Sequence, residues 1–376
     1  MAFPTRRRTA LAALMCLALV LSGCADFSAQ DHSADAGTFT SEPDGPHTIA
    51  PPPTTPSDDD GGDPPTGPCV DKDAAVIATC LASTSGVRPA SADGRSTYVA
   101  ERATGKIIIS KRYGPQRVIA TVPVDGSGDG GLIDFELSPT YDQDQMIYAL
   151  ISTGSDNRIV RIAPGDSVKP ILTGIPKGAT GNMGSISFTS PTELRVATGD
   201  AGNPASADDR GSLAGKIFTI DPTTVDPKPR ILATGLGSNV ALCPDPENGK
   251  LYVADSGANG DRLSVVEPSG LRKLWSWADR PGLTGCATGS SWIAVSIASK
   301  RRIDVLAKPT DASPSIGEPS QQDYSKTYGA IGRMTTFGGA AMQIATINKS
   351  TPRANVVSTD DRVAIVIPNQ SNDDNT

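Results

Sequence analysis

From residue 67 onward, short runs of Val, Ile, Thr and Tyr alternate with breaks rich in Gly, Asn, Asp and Ser, and hardly any stretch carries helical spacing. Runs of this kind are half-buried strands and the breaks are turns, so the pattern predicts an all-β fold. One hairpin recurs: an apolar strand, a polar turn, a second apolar strand. It is read at TYVAERATGKIIIS, MIYALISTGSDNRIVRI, LRVATGDAGNPASADDRGSLAGKIFTI, LYVADSGANGDRLSVV, WIAVSIASKRRIDVL and, more faintly, QIATINKSTPRANVV. The anchors Tyr98, Tyr148, Arg195, Tyr252, Ile293 and Ile344 are 50, 47, 57, 41 and 51 residues apart. That period is the length of a four-stranded propeller blade. Six units predict a six-bladed β-propeller over residues 67–376. A pair of β-sandwiches would not give six related hairpins at one period.

The first 66 residues break this pattern. Arg6, Arg7 and Arg8 precede an apolar run from Ala10 to Val20, which ends in Leu21, Ser22, Gly23 and Cys24. The run is shorter than the roughly 20 residues a spanning helix needs, so residues 1–23 read as a removable signal. The ending LSGC resembles the bacterial lipobox, which makes Cys24 the acylated first residue of the mature chain. Acyl chains hold a protein on a bilayer without a spanning helix, at about 0.8 kcal/mol per buried CH₂. The expected place is therefore the extracytoplasmic face of the cell membrane. Residues 24–66 hold nine acids, many prolines and no Lys or Arg after Cys24, a composition that stays extended and builds no core. Both histidines, His32 and His47, lie there and read as solvated linker residues.

Charge excludes one class of partner. The net charge is -7, but without the three N-terminal arginines and the nine linker acids residues 67–376 carry -1. A near-neutral body has no footprint for nucleic acid. Four cysteines remain in this body, Cys69, Cys80, Cys243 and Cys286, and an even number in an exported chain indicates disulfides. Three pairings are open; the favoured one joins Cys69 to Cys80 at the start of the domain and Cys243 to Cys286 between neighbouring repeats. The spacings lack the CxxC pairs that zinc takes.

The third hairpin has the longest internal loop, and its stretch TGDAGNPASADDRGSLAGKIFTIDP resembles the signature of the soluble quinoprotein glucose/sorbosone dehydrogenases. DGGLIDFELSPTYDQDQMIYAL (Asp129–Leu150) and GKLYVADSGANGDRL (Gly249–Leu263) are similar to two further segments of that family. The lipobox, the Pro-rich spacer, CLASTSG at Cys80–Gly86 and ILTGIPKGA at Ile171–Ala179 resemble, more narrowly, the LppZ subgroup of actinobacterial lipoproteins. The resemblance implies a six-bladed propeller that oxidises a sugar C1 hydroxyl with pyrroloquinoline quinone (PQQ) and carries calcium. A His takes the hydroxyl proton in that family, as imidazole titrates near working pH, and an Arg pairs with the quinone carboxylates.

Both groups are replaced here. Within Ala179–Gly184, Gly181 stands at the His position, and within Gly235–Asn239, Gly237 stands at the Arg position. The remaining polar scaffold is Asn182, Asp200, Asn203, Asp208, Asp209, Asn239 and Asp255. Of these, Asn182, Asp200, Asn203, Asn239 and Asp255 are read as ligand-binding, and Asp200, Asp208 and Asp209 as oxygen ligands for calcium. Asp134, with Glu136 on the same strand face, is a second candidate base beside Asp200 if the channel desolvates it. Trp275 and Trp277 could stack a sugar, but inter-blade packing is the expected role. The expectation is an oxygen-lined channel without imidazole and without a cation to neutralise a quinone. It suits a redox-silent propeller binding a sugar-like molecule or a cell-envelope component, the alternative being a PQQ-dependent aldose dehydrogenase with a rearranged site. The segment Phe337-Gly338-Gly339 could block the channel.

Overall fold

A computed structural model describes residues 66–368 except 166, 259, 311–312 and 352–354. Residues 1–65, with the expected signal, Cys24, both histidines and all but the last residue of the expected linker, lie outside the described residues. The strands form six four-stranded antiparallel sheets. Blade 1 is β2 (Thr84–Pro89), β3 (Ser96–Glu101), β4 (Lys106–Lys111) and β5 (Gln116–Thr121); blade 2 is β6 (Leu132–Leu137), β7 (Ile147–Ser152), β8 (Asn157–Ala163) and β9 (Ser167–Ile175). Blade 3 is β10 (Ser185–Ser190), β11 (Glu193–Ala197), β12 (Ile217–Ile220) and β13 (Arg230–Ala233); blade 4 is β14 (Asn239–Pro244), β15 (Leu251–Gly257), β16 (Gly260–Glu267) and β17 (Gly270–Trp277). Blade 5 is β18 (Gly285–Thr288), β19 (Trp292–Ile297), β20 (Arg302–Ala307) and β21 (Ser320–Asp323). Blade 6 combines β22 (Ile331–Phe337), β23 (Ala341–Thr346) and β24 (Val363–Val366) with the N-terminal strand β1 (Val76–Ala78).

The first strand of each blade touches that of the next, and β22 returns to β2, so β2, β6, β10, β14, β18 and β22 enclose a central channel. Closure is completed at the rim, where β1 pairs antiparallel with β24, Val76 opposite Ala364. The predicted six-bladed propeller is what forms. All six repeat anchors fall on the second strand of a blade, because that strand is packed on both faces and must be apolar. One element departs from the sequence reading: the second strand of the last hairpin is β24 at Val363–Val366, well beyond the run near Val356. The connection instead makes 3₁₀ turns at Asn348–Ser350 and Ser358–Asp360, and the Asn348 amide donates to the carbonyls of Tyr328 and Asp360.

Six apolar clusters fill the six blade interfaces. Between blades 4 and 5, Tyr252, Leu263, Ile293 and Trp277 are buried together, each contributing roughly 1.5–3 kcal/mol. Trp277 donates its indole N–H to Asp304 at 2.7 Å, and Trp275 packs on the same cluster, so neither tryptophan is a sugar platform. Both favoured disulfides form, Cys69–Cys80 around β1 and Cys243–Cys286 between the first strands of blades 4 and 5.

Candidate functional site

Loops between second and third strands, and from each blade to the next, gather at one end of the channel, here called the loop face. It carries the long third-hairpin loop between β11 and β12, containing the short helix α1 (Pro204–Asp208). Lys216, immediately before β12, is fully buried beneath this loop. Its ammonium donates to the carbonyls of Ser206 (2.8 Å), Ala207 (2.8 Å) and Ala214 (2.6 Å), tying the helix to the blade. Burial lowers its pKa, against the attraction of Asp209 and Asp208. The sequence reading missed this lysine, although a Lys inside an apolar strand run is itself a signal that carbonyls must converge on it.

Gly181 and Gly237 sit where backbones meet. Gly181 has φ +78°, and a Cβ there would lie against Gly202 N and 2.5 Å from Asp200 Oδ1. A Cβ on Gly237 would lie against Ser256 O and 2.5 Å from Gly257 Cα. Neither position has room for any side chain, so neither can present an imidazole or a guanidinium.

The retained polar residues divide. Asn182 is 2 % exposed and fully engaged: its amide nitrogen donates to Asp129 and Gly178, its oxygen accepts from Gly178 N and Asn157. Asp255, 1 % exposed, accepts from Arg262 Nε at 2.8 Å and from Gly237 N at 3.1 Å. Burial raises its carboxyl, opposed by Arg262. Asp200 is buried and accepts from Gly202 N at 2.9 Å; burial raises its pKa and Asp129 adds to the rise. These three hold loops together and do not face an open channel. Asn203, Asp208 and Asp209 are exposed, and Asp209 accepts from Gly211 N in a turn. The expected calcium set of Asp200, Asp208 and Asp209 does not assemble; among the described residues no group of three His, Cys, Asp or Glu is placed to hold a metal. Asn239 opens β14, with Oδ1 buried and lacking a hydrogen-bond partner.

The channel itself is different from the expectation. Asp134 on β6 is 3 % exposed and accepts from Ile186 N (2.9 Å) and from Arg88 Nη2 at 3.2 Å to each oxygen. Arg88 also donates from Nε to Glu136 at 3.0 Å, which confirms the shared face of the two carboxylates. Burial works against the Arg88 charge, but Asp134 and Glu136 outweigh it and hold its pKa above the ordinary value. Burial raises Glu136, opposed by Arg88. Asp134 is thus a clamped ion-pair partner and not a free base.

Arg333, on β22, projects across the ring and donates to Gly184 O at 2.8 Å beside β10, the strand facing β22. It is 6 % exposed, and Nε and Nη1 have no partner. Burial lowers its pKa to about 10; Asp134 opposes the shift and Arg88 adds to it. The expected absence of a channel cation is therefore overturned. The far ends of the first strands, on the side opposite the loop face, line a cavity of about 680 Å³ that includes Arg333, Arg195 and Phe337–Gly339. The Phe337 segment borders this cavity.

Residues 88–271 match the family described as Glucose / Sorbosone dehydrogenase. No curated protein matches the chain. Among solved structures, the PQQ-bound aldose sugar dehydrogenase of Streptomyces coelicolor is 26 % identical with TM-score 0.67, over 77 % of this chain and 95 % of that one. A putative glucose dehydrogenase of Thermus thermophilus is 21 % identical, TM-score 0.66, over 77 % and 98 %. The apo aldose sugar dehydrogenase of Escherichia coli is 15 % identical, TM-score 0.63, over 78 % and 99 %; these two likenesses carry the fold alone. The chain therefore carries a glucose/sorbosone dehydrogenase-like propeller, related to the PQQ-dependent sugar dehydrogenases.

Proposed function

We propose that this protein is a lipid-anchored, extracytoplasmic lipoprotein of the LppZ kind whose dehydrogenase-like propeller binds a ligand or envelope partner and does not oxidise sugars. The observation that carries the reading is the steric closure of Gly181 and Gly237. A proton acceptor and an anion clamp are both required for hydride transfer to a carboxylated quinone, and the loop face has room for neither at the matched positions. Lys177, four residues before Gly181, is paired with Asp125, and Arg262 is held by Asp255, the carboxylate that also accepts from Gly237 N. The residues present do not fit PQQ at this face. Cys24 supplies the anchor in this reading, and calcium has no role in it.

The full chain, supplied with PQQ, calcium, a panel of aldoses and an artificial electron acceptor, is expected to give no turnover above the protein-free rate and no perturbation of the quinone absorbance. Sugar-dependent acceptor reduction would establish the dehydrogenase reading instead.

A further inference from the structure

The channel end opposite the loop face concentrates unsatisfied polar groups. Arg333 Nε and Nη1, Arg195 Nε, Ser187 Oγ and Thr336 Oγ1 are buried without hydrogen-bond partners, and all four residues line the same cavity. Leaving a buried donor unpaired costs about 1–3 kcal/mol, more when it is charged. A neutral side chain could reach Gly184 O without that cost, so bridging the ring does not explain a guanidinium at position 333.

Of the other charges lining the cavity, Lys250 is exposed to solvent and the rest are matched, Glu247 by Lys308. Arg88 is paired with Asp134 and Glu136, and Asp245 with Lys308 at 2.6 Å. Arg333, buried, and Arg195, half-buried with its Nε enclosed, remain without a carboxylate in contact. The walls between them are largely apolar, with Phe188, Leu242, Ala287, Met334 and Phe337. At about 680 Å³ the cavity lies within the range of small-molecule sites, roughly 300–1,000 Å³.

We propose that this cavity is a binding site for a small organic acid, whose oxyanion, a carboxylate or a phosphate monoester, sits on Arg333 and Arg195 while its apolar body lies against Phe188, Leu242 and Met334. Guanidinium groups bind both oxyanions through charge-assisted hydrogen bonds, and the hydroxyls of Ser187 and Thr336 complete the polar wall. The site adjoins the loop face through Arg333, which donates to Gly184 O, while most of its lining lies on the far parts of the first strands. It gives the ligand-binding reading a ligand class, and it rests on that reading.

The test is calorimetric titration of the full chain with benzoate, phenyl phosphate and, as the neutral counterpart, benzyl alcohol. At least one of the two anions should bind, about 10-fold or more tighter than the alcohol; which one binds distinguishes a carboxylate from a phosphate ligand. Arg333→Gln should weaken that binding by about 10-fold or more, while its ligand-free melting temperature equals or exceeds that of the parent, because a costly unpaired charge has gone. Arg195→Gln, at a half-buried position, should weaken binding as well and serves if the Arg333 variant does not fold. Failure of both anions to bind, or unchanged affinity in the variants, overturns the site. The quinone assay runs on the same preparation: turnover would overturn the binding-protein reading, whereas silence in both assays would overturn this site alone.

Discussion

Asp361 follows the last 3₁₀ turn and is fully buried. Its Oδ1 accepts from Lys349 N at 3.1 Å, and Oδ2 has no partner. Burial raises its pKa to about 7, against the Lys349 amide and charge, with Asp360 adding to the rise. An unfolded Asp titrates near pH 3.9. Between about pH 4 and 7 the folded chain therefore holds a proton that the unfolded chain has released, and stability falls as pH rises through that window. Asp361→Asn keeps the acceptor and removes the charge. The variant should match the parent at pH 4 and exceed it by about 2–4 kcal/mol at pH 8. Thermal melts across this range decide it; a difference that does not grow with pH would refute the assignment.

The blade hairpins show what a linear chain reveals. Their second strands were legible because burial on both faces imposes an apolar run wherever the blade stands. First strands were not, since they mix apolar residues with Arg88, Asp134 and Arg333, whose partners are chosen by ring closure. Arg333 meets Gly184, 149 residues away in sequence, and no local pattern encodes that distance. The polar candidates were ambiguous for a related reason: Asp and Asn serve backbone amides as readily as ligands, and Asp200 of the third hairpin, Asn182 before β10 and Asp255 on β15 each accept from one. Glycines were the better guide. Gly181→His and Gly237→Arg should not restore chemistry; each should lower the melting temperature by about 5 °C or more, from strain and clash of about 2–4 kcal/mol. Circular-dichroism melts measure this, and a stable Gly181→His variant would show that the loop face can open.

At the scale of the whole ring, fold class and blade number followed from the repeat; the four cysteines left three pairings open, and the favoured one is what forms. The closure of blade 6 by the N-terminal strand was not foreseen, because β1 is only three residues long. Those residues, Val76, Ile77 and Ala78, are all buried, and Arg362 pairs with Asp71 just upstream. A chain beginning at Leu81 would lose roughly 4 kcal/mol of apolar burial and leave β24 as an open edge. Its melting temperature should drop by about 10 °C, with increased aggregation on heating; an unaltered melt in calorimetry would mean that the ring closes without its clasp.

The placement of one disulfide has a mechanical consequence. Cys69 precedes β1 and Cys80 follows it, so the clasp strand lies inside a covalent loop. Tension on the chain upstream of Cys69 crosses the sulfur bridge to Cys80 and reaches the innermost strand of blade 1 directly. The hydrogen bonds between β1 and β24 lie off this load path, so a pull applied ahead of Cys69 would strain blade 1 without unzipping the clasp.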